Sequence, residues 1–224
     1  MKNKMQSLTV IVKEMGLSPQ EIVNYWAENG MLPQSIQISP LEEDVRTKAK
    51  LYWYFFANGE FSADANAYKG CIGVVGWINP DKNAPIGNRV YIVLRKQISC
   101  IFSSVNSTLK TTNEYDGYNN TQLILQHSRE NKISFPAVSY CDDICKLRNF
   151  QKPFLPAKEQ AICLAKNSHG IKNALAKVGG TFEGSIWTSS IFIPNNIWVV
   201  QTKYGEADVR NRALKANVTA IMAL

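Results

Sequence analysis

The chain has 224 residues, 45% hydrophobic and 19% charged, a globular composition that excludes a disordered protein and suffices for a substantial core. Its formal charge of +7 is spread thinly: residues 1–50 hold six Lys/Arg against six Asp/Glu, residues 51–180 fifteen against nine, and residues 181–224 four against three. No basic run marks a phosphate-binding stripe, and no apolar run approaches the roughly 20 residues of a membrane helix.

The first 30 residues read as two short helices. Leu8, Ile11, Val12 and Met15 share one helical face, and Gly16 stands where a C-terminal cap would. Ser18-Pro19-Gln20-Glu21 then supplies an N-cap, a proline at the first helical position and an acidic first turn, with Ile22, Val23 and Trp26 on the apolar face. A helical hairpin of this outline can read DNA, but the second helix carries no Arg or Lys to meet a phosphate, so a packing or assembly role is expected. Basic residues open the chain, yet Thr9, Lys13 and Glu14 break the following stretch, so no signal peptide is read and a cytoplasmic protein is expected. Pro33 and Pro40 bracket a linker, and Leu41–Lys50 adds one charged helix.

After Lys50 the texture changes. Leu51–Phe56 is an aromatic run closed by the turn signal Asn58-Gly59. Cys71–Ile78 reads as a buried strand, and Val90–Leu94 as its hairpin partner. Thr121–Arg129, Ala137–Leu147, Ala157–Asn167 and Ile171–Val178 read as helices, and Ser185–Phe192, Ile197–Thr202 and Val218–Leu224 as strands. Strands, then helices, then strands predict an α+β fold, with a helical N-terminal element over residues 1–46 and one domain over 47–224. Trp187 and Trp198 flank a hairpin with its tip at Ile193-Pro194-Asn195-Asn196 and are expected as core anchors; Ser189 and Ser190 are expected to bond the local backbone.

Motifs for chemistry are sparse. Cys71, Cys100, Cys141, Cys145 and Cys163 are odd in number and irregular in spacing, which predicts free thiols rather than a disulfide framework. His127 and His169 have no carboxylate or cysteine at metal-ligand spacing, and Cys141 and Cys145 have no second pair, so no metal and no cofactor are expected. Neither a phosphate loop nor a nucleophile elbow appears, and the expectation is a protein that binds rather than catalyses.

From Leu51 to Leu224 the order of motifs resembles the DUF1566 family, a C-type-lectin-like group common in gut Bacteroides and phage-associated proteins. The passages that carry it are Tyr54–Ser62, Gly73–Trp77, Asp116–Thr121 with Phe135-Pro136-Ala137, Phe154–Gln160, Ile171–Leu175, Gly179-Gly180, Trp187–Ser190, Trp198, Gly205 and Val218–Leu224. Ile186, Ile191 and Thr219 depart from the residues usual there. The resemblance implies a C-type-lectin-like domain that binds an unknown protein or cell-surface ligand. It also implies a place in a phage particle or export by a non-standard route as alternatives to the cytosol. Some relatives are variable proteins, rewritten in the C-terminal segment by diversity-generating retroelements. On that basis the ligand-binding face is expected at Phe192, Asn195, Asn196, Lys203, Tyr204, Arg210, Asn211 and Arg212, set between the fixed-looking Trp198 and Gly205. Two other functions compete: nucleic-acid binding through the N-terminal hairpin, and a formylglycine-generating-type oxidase, which needs a copper-holding cysteine pair such as Cys141 and Cys145.

Overall fold

Eight strands form one sheet, in a computed structural model that describes residues 45–84, 87–105, 109, 113–144 and 150–224. The two helices expected in the first 30 residues, the expected linker and Cys145 lie outside the described residues, and of the charged helix expected over Leu41–Lys50 only α1 (Val45–Lys48) is described. The chain divides between Glu43 and Asp44, and the second unit carries every described residue.

The first four strands are β1 (Tyr54–Phe56), β2 (Phe61–Ser62), β3 (Cys71–Ile78) and β4 (Val90–Ile101). The helices α2 (Gly117–Asn131), α3 (Pro136–Asp143), α4 (Lys158–Ala165) and α5 (Ser168–Ala176) follow. The chain then returns to the sheet as β5 (Ser185–Ile193), β6 (Asn196–Gln201), β7 (Ala207–Asn211) and β8 (Lys215–Ala223). Spatial order is β2-β1-β3-β4-β8-β5-β6-β7, antiparallel throughout except where β5 meets β8 in parallel, at Ile186 and Asn217. The fold is α+β.

Both faces of this sheet are buried, which explains why its central strands are continuous apolar runs rather than alternating ones. Side chains still sort by the two-residue period of a strand. Val75, Val90, Ile92, Leu94, Val218, Ala220 and Met222 face one layer, which holds Ile124 and Leu125 of α2, Ala137, Val138 and Cys141 of α3, Phe102 and Phe135. Val74, Tyr91, Val93, Ile221 and Ala223 face the other, which holds Ala161 and Leu164 of α4, Ile171 and Leu175 of α5, Phe154 and Phe182. Helices thus cover the sheet front and back.

The start of α2 is fixed by local chemistry. Asp116 caps it, one carboxylate oxygen accepting from the Asn119 amide at 3.0 Å. Gly117 must be glycine, because a Cβ there would sit 2.5 Å from Gln160 Oε1 and 2.6 Å from the Leu155 carbonyl. That approach lets the buried Gln160 Oε1 accept from the amides of Gly117 (3.1 Å) and Ala157 (2.9 Å) while its Nε2 donates to Tyr91 Oη (3.1 Å). One side chain therefore holds the beginnings of α2 and α4 against β4.

In the middle of β5 the pairing with β6 is irregular between Trp187 and Ile191, and Thr188, Ser189 and Ser190 are buried there. Thr188 Oγ1 donates to the Trp198 carbonyl at 2.8 Å. Ser190 Oγ donates to the Asn113 carbonyl and accepts from the Lys158 amide, both at 3.0 Å, and the Ser189 amide donates to the Pro156 carbonyl at 2.8 Å. The Ser190 hydroxyl thus meets the backbone of distant loops, where local bonds were expected; the local ones formed run between the Ser190 backbone and Thr188 Oγ1, at 3.3 and 3.4 Å. The reason is that a strand covered on both sides meets polar backbone only where loops from other elements reach it.

Candidate ligand-binding site

The β5–β6 hairpin turns at Pro194-Asn195, with Ile193 opposite Asn196, and β6 pairs onward with the edge strand β7. Phe192 is exposed on β5, and its ring packs edge-on against Trp198 at 5.0 Å between centroids. Trp198 is half-buried, unlike Trp187, which is fully enclosed. Of the two expected core anchors, Trp187 alone is in the core. Trp198 lies where the sheet meets the start of α4, with Lys158 Nζ 4.8 Å from its ring centroid. Lys158 is in turn paired with Glu114 and lies 3.4 Å from a Glu159 oxygen. The Glu114 hydrogen bond is the main cause that raises the Lys158 pKa, so the ammonium is held charged above the indole.

The eight residues expected to form one binding face fall into separate groups. Asn195 and Asn211 are exposed and Asn196 half-buried at the hairpin end, where Asn196 pairs with Asn211. Lys203 and Tyr204 sit in the turn between β6 and β7, at the far end of β6, which over six residues is about 20 Å away. There Lys203 Nζ rests 4.8 Å from the Tyr204 ring centroid. Successive turns of antiparallel strands lie at opposite ends of the sheet, so closeness in sequence does not make one patch.

Both arginines are committed to backbone. Arg210 donates to the Lys215 carbonyl at 2.9 Å and to Ser185 Oγ at 3.3 Å. Arg212 is 7% exposed and donates to the Val105 carbonyl, and desolvation lowers its pKa. It ties the turn before β8 to the strand end after β4, a packing role opposite to the surface one expected of it. What the sequence did not show was the contribution of Lys158, which meets Trp198 from about 40 residues away, and of Glu114, which meets Lys158; neither carries a motif.

Among the described residues no three His, Cys, Asp or Glu side chains come together as a metal site would require. Cys71, Cys100, Cys141 and Cys163 are free thiols, and burial pushes the pKa of each upward, most of all for the fully enclosed Cys141. Among the same residues no helix is long and apolar enough to cross a membrane.

No protein-family model matches the chain, and no curated protein does. Among solved structures, a fimbrial protein from Bacteroides ovatus ATCC 8483 is similar, with a TM-score of 0.64 and 15% sequence identity over 78% of this chain and 49% of that one. The chain therefore spans about half the length of that fimbrial protein, and the likeness is one of fold.

Proposed function

We propose that the chain is a non-enzymatic ligand-binding module displayed at a surface, recognising a protein or cell-surface ligand through the end of the β5–β6 hairpin. The observation that carries this is the assembly around Phe192, an exposed aromatic ring fixed against Trp198 with a charged Lys158 held over the indole. Aromatic side chains such as Phe192 and Trp198 are enriched at interfaces, and the flanking amides of Asn195, Asn196 and Asn211 supply adaptable hydrogen bonding. The fold shared with a fimbrial protein supports a display role and a place outside the cytosol, in preference to the cytoplasmic residence read from the first residues.

The finer assignment, to a C-type-lectin-like domain of the DUF1566 type whose C-terminal segment is diversified by a retroelement, rests on the sequence resemblance of residues 51–224. The oxidase alternative rests on Cys141, which is fully enclosed in α3, and on Cys145, which lies outside the described residues.

The test is retention of the fluorescently labelled full chain on intact bacterial and epithelial cells. Phe192→Ser and Trp198→Ser should each weaken retention by about tenfold or more, the loss of one interface anchor, with the melting temperature held within a few degrees. Undiminished retention in both variants would move recognition away from the hairpin end.

A further inference from the structure

At the other end of β6, about 20 Å from the hairpin tip, lies a cleft that shares no residue with the assembly around Phe192. Its volume is about 400 Å³, and it opens between the start of α5, residues 182–184 before β5, and the turn after β6. We propose that this cleft binds a small monocarboxylate with an apolar body.

The floor of the cleft carries an unmet polar group. Phe182 and Thr202 line it, 1% and 3% exposed, and the Thr202 amide donates to the Gly184 carbonyl at 3.0 Å. The Thr202 hydroxyl, by contrast, has no hydrogen-bond partner in the structure. Among the described residues the unpartnered side-chain atoms sealed from solvent are Gln122 Nε2 and Gln151 Oε1. Thr202 Oγ1 is not sealed in that way, so the surface it keeps opens into the cleft it lines. An enclosed hydroxyl is as a rule bonded, and an acceptor on a ligand supplies the missing partner.

The groups around that hydroxyl call for an anion. Asn167 caps α5 without a side-chain hydrogen bond, and the amides of Ser168, His169 and Gly170 make no backbone bond, so the positive end of the helix is left open. The His169 ring is engaged with Asn173 at 3.0 Å. Lys172 lies 3.7 Å from a Glu183 oxygen, whereas Lys203 rests on the Tyr204 ring and meets no carboxylate among the described residues. Two lysines against one carboxylate leave a single positive charge over. That excess balances a monoanion, while a dianion such as a phosphate monoester would keep one charge uncompensated beside Glu183. The Phe182 ring and the Thr202 methyl make the floor apolar, and the volume is at the small end of the range for ligand sites. A carboxylate on a compact apolar body meets all three conditions.

Saturation-transfer NMR on the full chain, with affinities from calorimetric titration, tests this with benzoate, phenylacetate and hexanoate against phenyl phosphate, benzamide and benzylamine. The expected result is that at least one carboxylate binds more tightly than all three of the others. Thr202→Val keeps the shape of the floor and should weaken that binding by about tenfold or more, as loss of one hydrogen bond to a charged group would. Lys203→Gln, at an exposed position, should weaken it several-fold, both variants keeping the wild-type melting temperature within a few degrees. Lys177→Gln makes the same change of charge at the far end of α5 and should leave binding unchanged. Binding of none of the carboxylates, equal or tighter binding of benzamide, phenyl phosphate or benzylamine, or binding that either cleft substitution leaves intact would overturn the proposal. So would an equal loss in Lys177→Gln and Lys203→Gln.

Discussion

The indole N–H of Trp187 donates to the backbone carbonyl of Cys100 at 2.9 Å, so one side chain joins β5 to β4 across the intervening strand β8. Trp187 also packs edge-on against Phe102 at 5.6 Å between centroids, which extends the same tie to the residue just beyond β4. It spans the part of the sheet where β5 and β8 meet in parallel, and removing it leaves both a large void and an unmet carbonyl. Trp187→Ala is expected to cost about 3–5 kcal/mol in urea unfolding. Trp198→Ala, which truncates a half-buried ring, is expected to cost about 1–2 kcal/mol. Equal losses at the two positions would contradict the distinction between enclosed anchor and surface platform.

Arg212 and Tyr204 lie eight residues apart and are expected to respond in opposite ways. Arg212→Ala removes the donor to the Val105 carbonyl from an enclosed site and should lower stability by about 1–3 kcal/mol. Tyr204→Ala, with the ring 66% exposed, should change stability by no more than about 0.5 kcal/mol. Chemical denaturation of the two variants beside the wild type decides the matter.

Alkali should destabilise the fold through two tyrosines. Burial pushes Tyr91 from its ordinary 10.0 up to about 12, against the opposing hydrogen bond from Gln160, and burial likewise pushes Tyr140 to about 12. A group whose pKa is higher in the folded state keeps its proton there after the unfolded chain has lost it. Its contribution is therefore fully present below pH 10.0 and is lost as pH rises through about 12. Stability measured by urea unfolding should fall across that window, and ultraviolet titration of the folded chain should show a tyrosinate component near pH 12 that diminishes in Tyr91→Phe. A titration complete by pH 11 would show that Tyr91 is not desolvated as described.

Much of the element order was legible in the sequence. Cys71–Ile78 is a strand over the residues expected, because eight residues of mostly apolar character bounded by glycine and proline turns have few other fates. The four helices and the strands at 185, 196 and 215 also stand close to their expected places, as the repeat of apolar residues alone suggests. The edge strand β7 was not seen, because Ala207-Asp208-Val209-Arg210-Asn211 is polar and mostly exposed, and the ladder with β6 rather than burial makes it a strand. The second half of β4, Arg95–Ile101, was missed for the same reason: its pairing with β8 carries it past the point where its side chains leave the core. The candidate sites were less legible still. The cleft gathers residues from three stretches around positions 170, 183 and 202, and Lys158 meets Trp198 only because α4 lies against β5 and β6.

The position of β8 bears on how the chain is made. Lys215–Ala223 lies between β4 and β5, so a strand made after the other seven is the one that joins β2-β1-β3-β4 to β5-β6-β7. Until it leaves the ribosome, β4 and β5 each present an open apolar edge, a state that invites pairing with other chains. Translation from Ile101 to Lys215 takes on the order of 10 s at ordinary rates, a long interval for such an edge to stay unpaired. Commitment to the eight-stranded sheet is therefore set by the arrival of β8, whose pairing with both β4 and β5 closes these edges.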